Sequence, residues 1–312
     1  MKISTVAIYG AGAIGGYFIW GLSDKLKENL WIIAEGKRKS RLESEGINVN
    51  GQHFSLNVRT PKEARGVDLL LISTKYGALQ SALDDIDAIV DEHTTVLSLL
   101  NGVDSEEIIG ARIGIDHIVY SMMKIASERV GNEVRFDGPS TPGLFFGEAK
   151  QKEPSKRILA IAELLDNTPL HYNICENIIQ DIWYKYALNV SRNQPQAMIN
   201  CGIGAYTDSE HAKFLVEKLR SEVVAVAAAK GIDISKPQQG AGKSAPAKKR
   251  ARYSTLQDLD AKRHTEVDMF AGAMVRMGKE LGIPTPYNEF TYHMIKALEE
   301  KNDGLFDYQE EQ

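Results

Sequence analysis

Residues 4–21, STVAIYGAGAIGGYFIWG, decide how the rest of the chain is read. Val6, Ala7, Ile8 and Tyr9 form the short apolar run of a buried strand, and Gly10, Gly12 and Gly15 follow at G-x-G-x-x-G spacing. Ile14, Tyr17, Phe18 and Leu22 then recur at helical spacing, which puts the glycines in a strand-to-helix turn. The first glycine permits the tight turn, the second lets backbone approach a pyrophosphate, and the third lets helix pack on strand. The helix N-terminus then offers unpaired N–H groups to the phosphates. Glu35, twenty residues beyond Gly15, closes a second apolar strand from Leu30 to Ala34. The expected dinucleotide contacts are Gly10, Ala11, Gly12, Ala13, Ile14 and Gly15. The competing reading is a glycine-rich turn in an α/β protein without a cofactor.

Outward from this stretch, apolar runs alternate with helical patterns. Candidate strands are Thr5 to Tyr9, Leu30 to Ala34, Leu69 to Ser73, Thr95 to Leu99 and His117 to Met122. This alternation predicts an α/β fold, an N-terminal Rossmann-type doubly wound parallel sheet. Gly46 to Val58 alternates around Asn50-Gly51 and reads as a small hairpin inserted on that sheet. Glu133 to Glu148 is strand-like, Lys156 to Leu165 an amphipathic helix, and Leu170 to Asn173 a last short strand. Beyond Cys175 strands vanish and long helices remain: Asn177 to about Asn200, Ser209 to Lys230, a pair from Thr255 to about Leu281, and Tyr287 to Glu299. The expected organisation is a NAD(P)-binding domain at 1–174 and an all-α C-terminal domain at 175–312.

The length of 312 residues accommodates two cores, and a net charge of −5 does not suggest a nucleic-acid protein. Cys175 and Cys201 match no metal or redox spacing and read as free thiols in a reducing compartment. The N-terminal apolar run is broken by glycines, so no signal peptide is expected. No apolar segment approaches the roughly 20 residues a membrane span needs. A cytoplasmic enzyme without metal or membrane partner is the expectation; oligomeric state is silent, and a homodimer is compatible with it. Ile232 to Arg252 holds Pro, Gly and Ser with Lys243, Lys248, Lys249, Arg250 and Arg252, either a solvated loop or a basic lid for an anionic ligand.

Several polar residues sit where chemistry is expected. Glu35 stands where a carboxylate bonds the ribose 2′-OH, which argues for NADH; Lys37, Arg38 and Lys39 follow at once and suit a 2′-phosphate. Ser73-Thr74-Lys75 and Leu100-Asn101-Gly102 end the third and fourth strands, on the edge where open α/β sheets bind ligands. Lys185, Asn189 and Asn193 recur at i, i+4 and i+8, a stripe on one helix face flanked by Ile182, Trp183 and Leu188. Asparagines are poor helix formers, so this stripe is expected to line a cleft, and Pro195 to kink or end the helix beyond it. Ser254 with Gln257 has capping-box spacing and reads as an N-cap, with Glu266 and Asp268 near the start of a longer helix.

Taken in order, the glycine loop, S-T-K, L-N-G-V, K-x-x-x-N-x-x-x-N, S-T-L-Q-D and T-E-V-D resemble the ketopantoate reductase (2-dehydropantoate 2-reductase) family over nearly the whole chain. The resemblance implies reduction of a 2-keto acid, ketopantoate to pantoate, with NADPH, in a cleft between a Rossmann and a helical domain. It matches Lys185 to the family's catalytic lysine and Glu266 to its acidic partner. Asn101, Asn189, Asn193 and Ser254 match residues that bind substrate or the reacting end of the cofactor, and Lys75 a cofactor contact.

Departures temper the match. The family usually has a basic residue at Glu35. It commonly continues N-P-L-T-A where this chain has Asn193-Gln194-Pro195-Gln196-Ala197, and a further family asparagine appears as Ile203. A dehydrogenase for another 2-keto acid, or a cofactor sensor without turnover, therefore stand as alternatives.

Overall fold

The computed structural model describes residues 2–150, 153–235 and 249–306. The chain divides into two units, Met1–Ile179 and Gln180–Gln312.

In the first unit β1 (Val6–Tyr9) leads through the glycine turn into α1 (Ala13–Leu26), then β2 (Leu30–Ile33) and α2 (Gly36–Glu45). β3 (Ile47–Val49) and β4 (Gln52–Phe54) precede β5 (Asn57–Arg59) and β6 (Leu69–Ile72). α3 (Leu79–Ile89), β7 (Thr95–Ser98), α4 (Ser105–Ile113) and β8 (Ile118–Lys124) complete the winding. β9 (Ser127–Val130), β10 (Glu133–Phe136), β11 (Gly143–Gly147), α5 (Lys156–Leu165) and β12 (Tyr172–Ile174) follow.

The main sheet runs β12-β11-β8-β7-β6-β1-β2-β5. From β5 to β8 neighbouring strands are parallel, and the order reverses on either side of β1. This is the Rossmann arrangement, with β1 at the switch point. Both faces are buried because successive side chains point to opposite sides. Val6 and Ile8 join Tyr17, Phe18 and Leu22 of α1 and Ile158 and Ile161 of α5, whereas Ala7 joins Leu79 and Ile86 of α3 and Ile109 of α4.

The five expected strands form the parallel, doubly wound sheet as the sequence predicts, and β11 adds an antiparallel neighbour beside β8. One expectation needs correction. The hairpin around Asn50-Gly51 does not sit on the main sheet. It forms a second sheet, β4-β3-β10-β9, in which β10 pairs parallel with β3. Val58 belongs instead to β5, beside β2. The physical reason is packing: Val134 of β10 rests on Gly16 of α1, so the small sheet covers that helix.

The second unit is helical: α6 (Ile178–Leu188), α7 (Gln194–Ile199), α8 (Ala205–Asp208), α9 (Glu210–Ala229), α10 (Ser254–Asp260), α11 (Ala273–Leu281) and α12 (Pro286–Asn302). Asn189–Asn193 joins α6 to α7 as a π-helical stretch, and Asp268–Gly272 leads into α11 the same way. The helix bearing Pro195 thus does not end there; it runs on to Ile199. α12 is anchored by a carboxylate at its N-terminus. Glu222 of α9, 7% exposed, accepts the N–H groups of Tyr287 (2.8 Å) and Asn288 (2.9 Å) and the Asn288 amide (2.7 Å). It neutralises N–H groups the helix cannot pair and meets the positive end of the helix dipole.

No helix among the described residues is long and apolar enough to cross a membrane. Of the basic loop, Lys243 and Lys248 lie outside the described residues. Lys249 pairs with Asp208 (2.8 Å) and Arg252 with Asp260 (3.1 Å).

Replacing Glu222 by Ala strips three donors of a charged acceptor and is expected to destabilise the protein by roughly 3 kcal/mol. Urea unfolding is the check; a loss below roughly 0.5 kcal/mol, typical of surface changes, would contradict this anchoring role.

Candidate active site

In the glycine turn each glycine has its own reason. Gly10 ends β1 at φ +112°, and a Cβ there would lie 2.8 Å from the Ser73 backbone. Ser73 donates its hydroxyl to the Gly10 carbonyl (2.5 Å) and its N–H to the Tyr9 carbonyl (2.9 Å), joining the ends of β1 and β6 at the switch point. A Cβ on Gly15 would overlap the Gly10 carbonyl oxygen. Gly12 differs: the nearest atom to its Cβ position is 3.9 Å away, and as N-cap of α1 it brings no capping side chain to the first-turn N–H groups. A cradle closed at Gly10 and Gly15 but open at Gly12 fits the pyrophosphate of a dinucleotide. Ala11, Ala13 and Ile14 complete this turn, Ala11 buried and the other two half-buried.

Charge gathers beside it. Glu35 is the exposed N-cap of α2, and Lys37 and Arg38 of its first turn are exposed. Lys39 is taken up by Glu63 at 2.9 Å. Arg129 of β9 donates to the Ala11 carbonyl. Burial, and then the positive charges of Arg41 and Arg38, push Arg129 below the usual arginine pKa. Sequence reasoning missed Arg129, because only the small sheet brings β9 to the glycine loop, and Arg41, which lies on α2 just beyond the basic run of residues 37–39.

The loops after β6 and β7 are tied together. Lys75, exposed, precedes Tyr76, whose hydroxyl donates to Asp104 at 2.6 Å. Asn101 is half-buried before Gly102, which takes φ +101°. Below this loop Ser121 donates to the Ser98 carbonyl (2.5 Å), Ser98 and Ser105 share a hydrogen bond (2.8 Å), and Ser105 donates to Glu106 (2.7 Å). Glu106 is 3% exposed, and burial pushes its carboxyl up to about 7, against the pull of the Ser105 hydroxyl and of the backbone N–H groups of Glu106 and Ser121.

In the second unit Lys185 and Asn189 are half-buried and Asn193 is buried, on a rod whose flanking Ile182 and Trp183 are also buried. Two further segments are hydrogen-bonded to this rod. Gln196, fully buried, donates to the Ala251 carbonyl (3.0 Å) and accepts the Tyr253 N–H (2.6 Å). This holds residues 251–253 extended, so α10 is N-capped by Tyr253. Ser254 is therefore not the N-cap that its spacing with Gln257 suggests. It is the first helical residue, with its side chain exposed, and Gln257 turns back to the Arg252 carbonyl (2.9 Å). Gln194, also fully buried, accepts the Ala271 N–H at 3.2 Å from the turn that follows Glu266. Glu266 is half-buried and its carbonyl opens that turn, accepting from Met269 and Phe270. Ile203 is half-buried, its N–H bonded to the Ala251 carbonyl at 3.1 Å.

Comparison with known proteins bears on this arrangement. The family model described as Ketopantoate reductase PanE/ApbA matches residues 6–151, and its C-terminal counterpart matches residues 177–299. The 2-dehydropantoate 2-reductase of Streptococcus pyogenes serotype M3 is 28% identical over 302 residues, covering 94% of this chain and 97% of its own. That of Pyrococcus horikoshii is 26% identical over 308 residues, covering 96% and 99%. Among solved structures, a PanE/ApbA family ketopantoate reductase from Ralstonia eutropha JMP134 has a TM-score of 0.79 at 25% identity, covering 96% of this chain and 99% of that one. A complex of D-mandelate dehydrogenase with NADH has a TM-score of 0.81 at 25% identity, covering 97% and 100%.

The glycine geometry separates folding from binding. Gly15→Ala is expected to destabilise the fold by several kcal/mol, about the scale of overpacking. Gly12→Ala should fold normally yet bind dinucleotide at least about tenfold more weakly, the worth of roughly one hydrogen bond; calorimetric titration beside thermal unfolding reads both. Glu106 supplies a pH signature. Its folded pKa is raised, so its burial costs nothing in acid and increasingly destabilises the fold as pH rises from about 4.5 toward 7. Glu106→Gln should flatten that fall in stability, and an unchanged pH profile would refute the assignment.

Proposed function

The chain belongs to the ketopantoate reductase family, NAD(P)-dependent oxidoreductases of 2-keto acids, and from that premise we propose that it reduces 2-dehydropantoate to pantoate with NADPH as the preferred donor. The observation that carries this reading is the rod of Lys185, Asn189 and Asn193, with the segments of Glu266 and Ser254 hydrogen-bonded to it through Gln194 and Gln196.

A nicotinamide dinucleotide held at the glycine turn would supply the hydride. Lys185 donates the proton to the substrate's carbonyl oxygen. An ordinary lysine, with a pKa of about 10.4, carries its proton at neutral pH. A cationic donor already aimed at that oxygen stabilises the alkoxide charge as it develops. Glu266 orients Lys185 and the substrate, and Asn189, Asn193 and Ser254 hold the substrate's polar groups. Gly10 to Gly15 would receive the pyrophosphate, and Lys75 and Asn101, at the ends of the two adjacent strands, would hold the cofactor beside it.

The 2′ position supports NADPH over NADH. Glu35 is exposed, Arg129 donates to the Ala11 carbonyl of the glycine loop, and Arg129 feels the positive charges of Arg41 and Arg38. Guanidinium groups match phosphate oxygens in charge and geometry. Lys37, at the start of α2, adds to the same field.

A second reading, a bulkier or aromatic 2-keto acid, is favoured by the likeness to D-mandelate dehydrogenase and by the apolar Ile203 where the family pattern has an asparagine.

Consumption of NADPH with ketopantoate, set beside phenylglyoxylate and branched 2-keto acids, tests the substrate; faster turnover of an aromatic acid would favour the second reading. Lys185→Ala should lower kcat by about 10²-fold or more, the usual worth of a general acid, and leave NADPH affinity near wild type. Arg38→Ala should weaken NADPH roughly tenfold, one charge-assisted contact, without changing NADH affinity. Equal losses for both cofactors would place that arginine away from the 2′-phosphate.

A further inference from the structure

We propose that Gln194 is a positioning residue whose buried amide holds two π-helical turns in register and thereby sets the direction in which Glu266 leaves its turn. The proposal rests on the reading of Glu266 as the acidic partner of Lys185, and its test separates the two.

The ladder after Glu266 changes spacing within a few residues. Phe270 N–H donates four residues back to the Glu266 carbonyl (3.1 Å), and Gly272 N–H donates five residues back to Val267 (2.9 Å). The jump from four to five skips the N–H of Ala271. That residue is fully buried, so no water stands in for the missing acceptor. Leaving such a donor unpaired costs about 1–3 kcal/mol. Gln194 Oε1 takes it, at 3.2 Å.

The other end of the amide meets the matching defect in the rod. Asn189–Asn193 is itself π-helical, and five residues beyond Val190 stands Pro195, which has no N–H to give. The Val190 carbonyl instead accepts Gln194 Nε2 at 3.1 Å. One partner is a donor and the other an acceptor, so the amide fits in a single orientation.

Without the Oε1 acceptor, ordinary α-spacing would pair Ala271 N–H with the Val267 carbonyl. The stretch before it would then be rewound by one residue, about 100° of helix rotation. Glu266 stands at the head of that stretch and would be turned with it. The rod carrying Asn189 and Asn193 would lose its own brace at the same time. Gln194 and Pro195 replace the Pro-Leu of the family pattern, so this bridge belongs to the particular sequence of this chain.

The test uses the full-length protein with Gln194→Met, which fills the space without either hydrogen bond, and Gln194→Glu. The neutral carboxylic acid reproduces donor and acceptor, whereas the carboxylate presents a second acceptor to the Val190 carbonyl. Amide hydrogen exchange at Ala271 reads the bridge directly. Expected for Gln194→Met are faster exchange at Ala271, a kcat lowered by roughly tenfold or more, as misplacement of a catalytic group produces, and an unchanged NADPH affinity. Gln194→Glu, which serves also if the methionine variant fails to fold, should keep its kcat at low pH and lose it as the carboxyl ionises; the wild-type amide adds no such limb. Wild-type exchange at Ala271 together with a kcat within about twofold of wild type, under the roughly 0.5 kcal/mol of a neutral substitution, would overturn the proposal. Glu266→Gln is run in parallel. A wild-type kcat there would sink the reading of Glu266, while Ala271 exchange in the Gln194 variants would still decide the bridge.

Discussion

The approach of Gly15 to the carbonyl of Gly10 is the constraint on which the first unit is assembled. No side chain fits between helix and strand at that point, so α1 descends directly onto the end of β1. Ser73 holds the same carbonyl from the neighbouring strand, fixing β6 against β1 at the place where the sheet order reverses. Tyr17 and Phe18 then pack into the sheet, and Gly16 receives Val134 from the small sheet. The open space above Gly12 is a by-product of this crowding: the backbone is rigid on both sides and bare between them. A rigid, bare backbone with free N–H groups suits an anionic ligand.

The second unit solves a different problem. Its helices bend through π-turns and begin in buried surroundings, and each irregularity exposes backbone groups that must be paired. The chain supplies buried side chains of suitable donor and acceptor character. Glu222 caps α12, Gln196 pins the segment before Ser254, and Gln194 spans the two π-turns. Glu299, 2% exposed, accepts the N–H (2.7 Å) and hydroxyl (2.6 Å) of Thr265, with Lys296 at 2.9 Å from its other oxygen. The turn of Glu266 is therefore held by α12 on one side and by the rod on the other. These polar groups cost desolvation, and in return they define one backbone geometry rather than several.

Charge beside the glycine loop shows how a local reading and a spatial one diverge. Glu35 taken alone argues for an unphosphorylated ribose. In space it is an exposed helix cap, and the arginines that gather near the turn come from α2 and from a strand nearly a hundred residues away, as Arg129 and Arg38 show. The sign of the field at that corner is set by the assembly.

Much of the architecture was legible in the sequence because periodicity is local. The strand-turn-helix of residues 6–26 follows from apolar runs around three glycines, α5 from an amphipathic pattern, and the family from short motifs kept in order. The small sheet was not legible, because β3 and β10 pair across more than eighty residues and neither strand alone reveals its partner. The N-cap at Tyr253 was misread because Ser254 and Gln257 have the right spacing, while Gln196, far along the chain, holds the backbone that decides the helix start. Sequence by itself determined the elements, the glycine cradle and the residue types available for catalysis, all properties of neighbours along the chain. Only the tertiary structure decided which buried amide or carboxylate answers which unpaired backbone group, because that pairing requires segments remote in sequence to meet in a water-free interior.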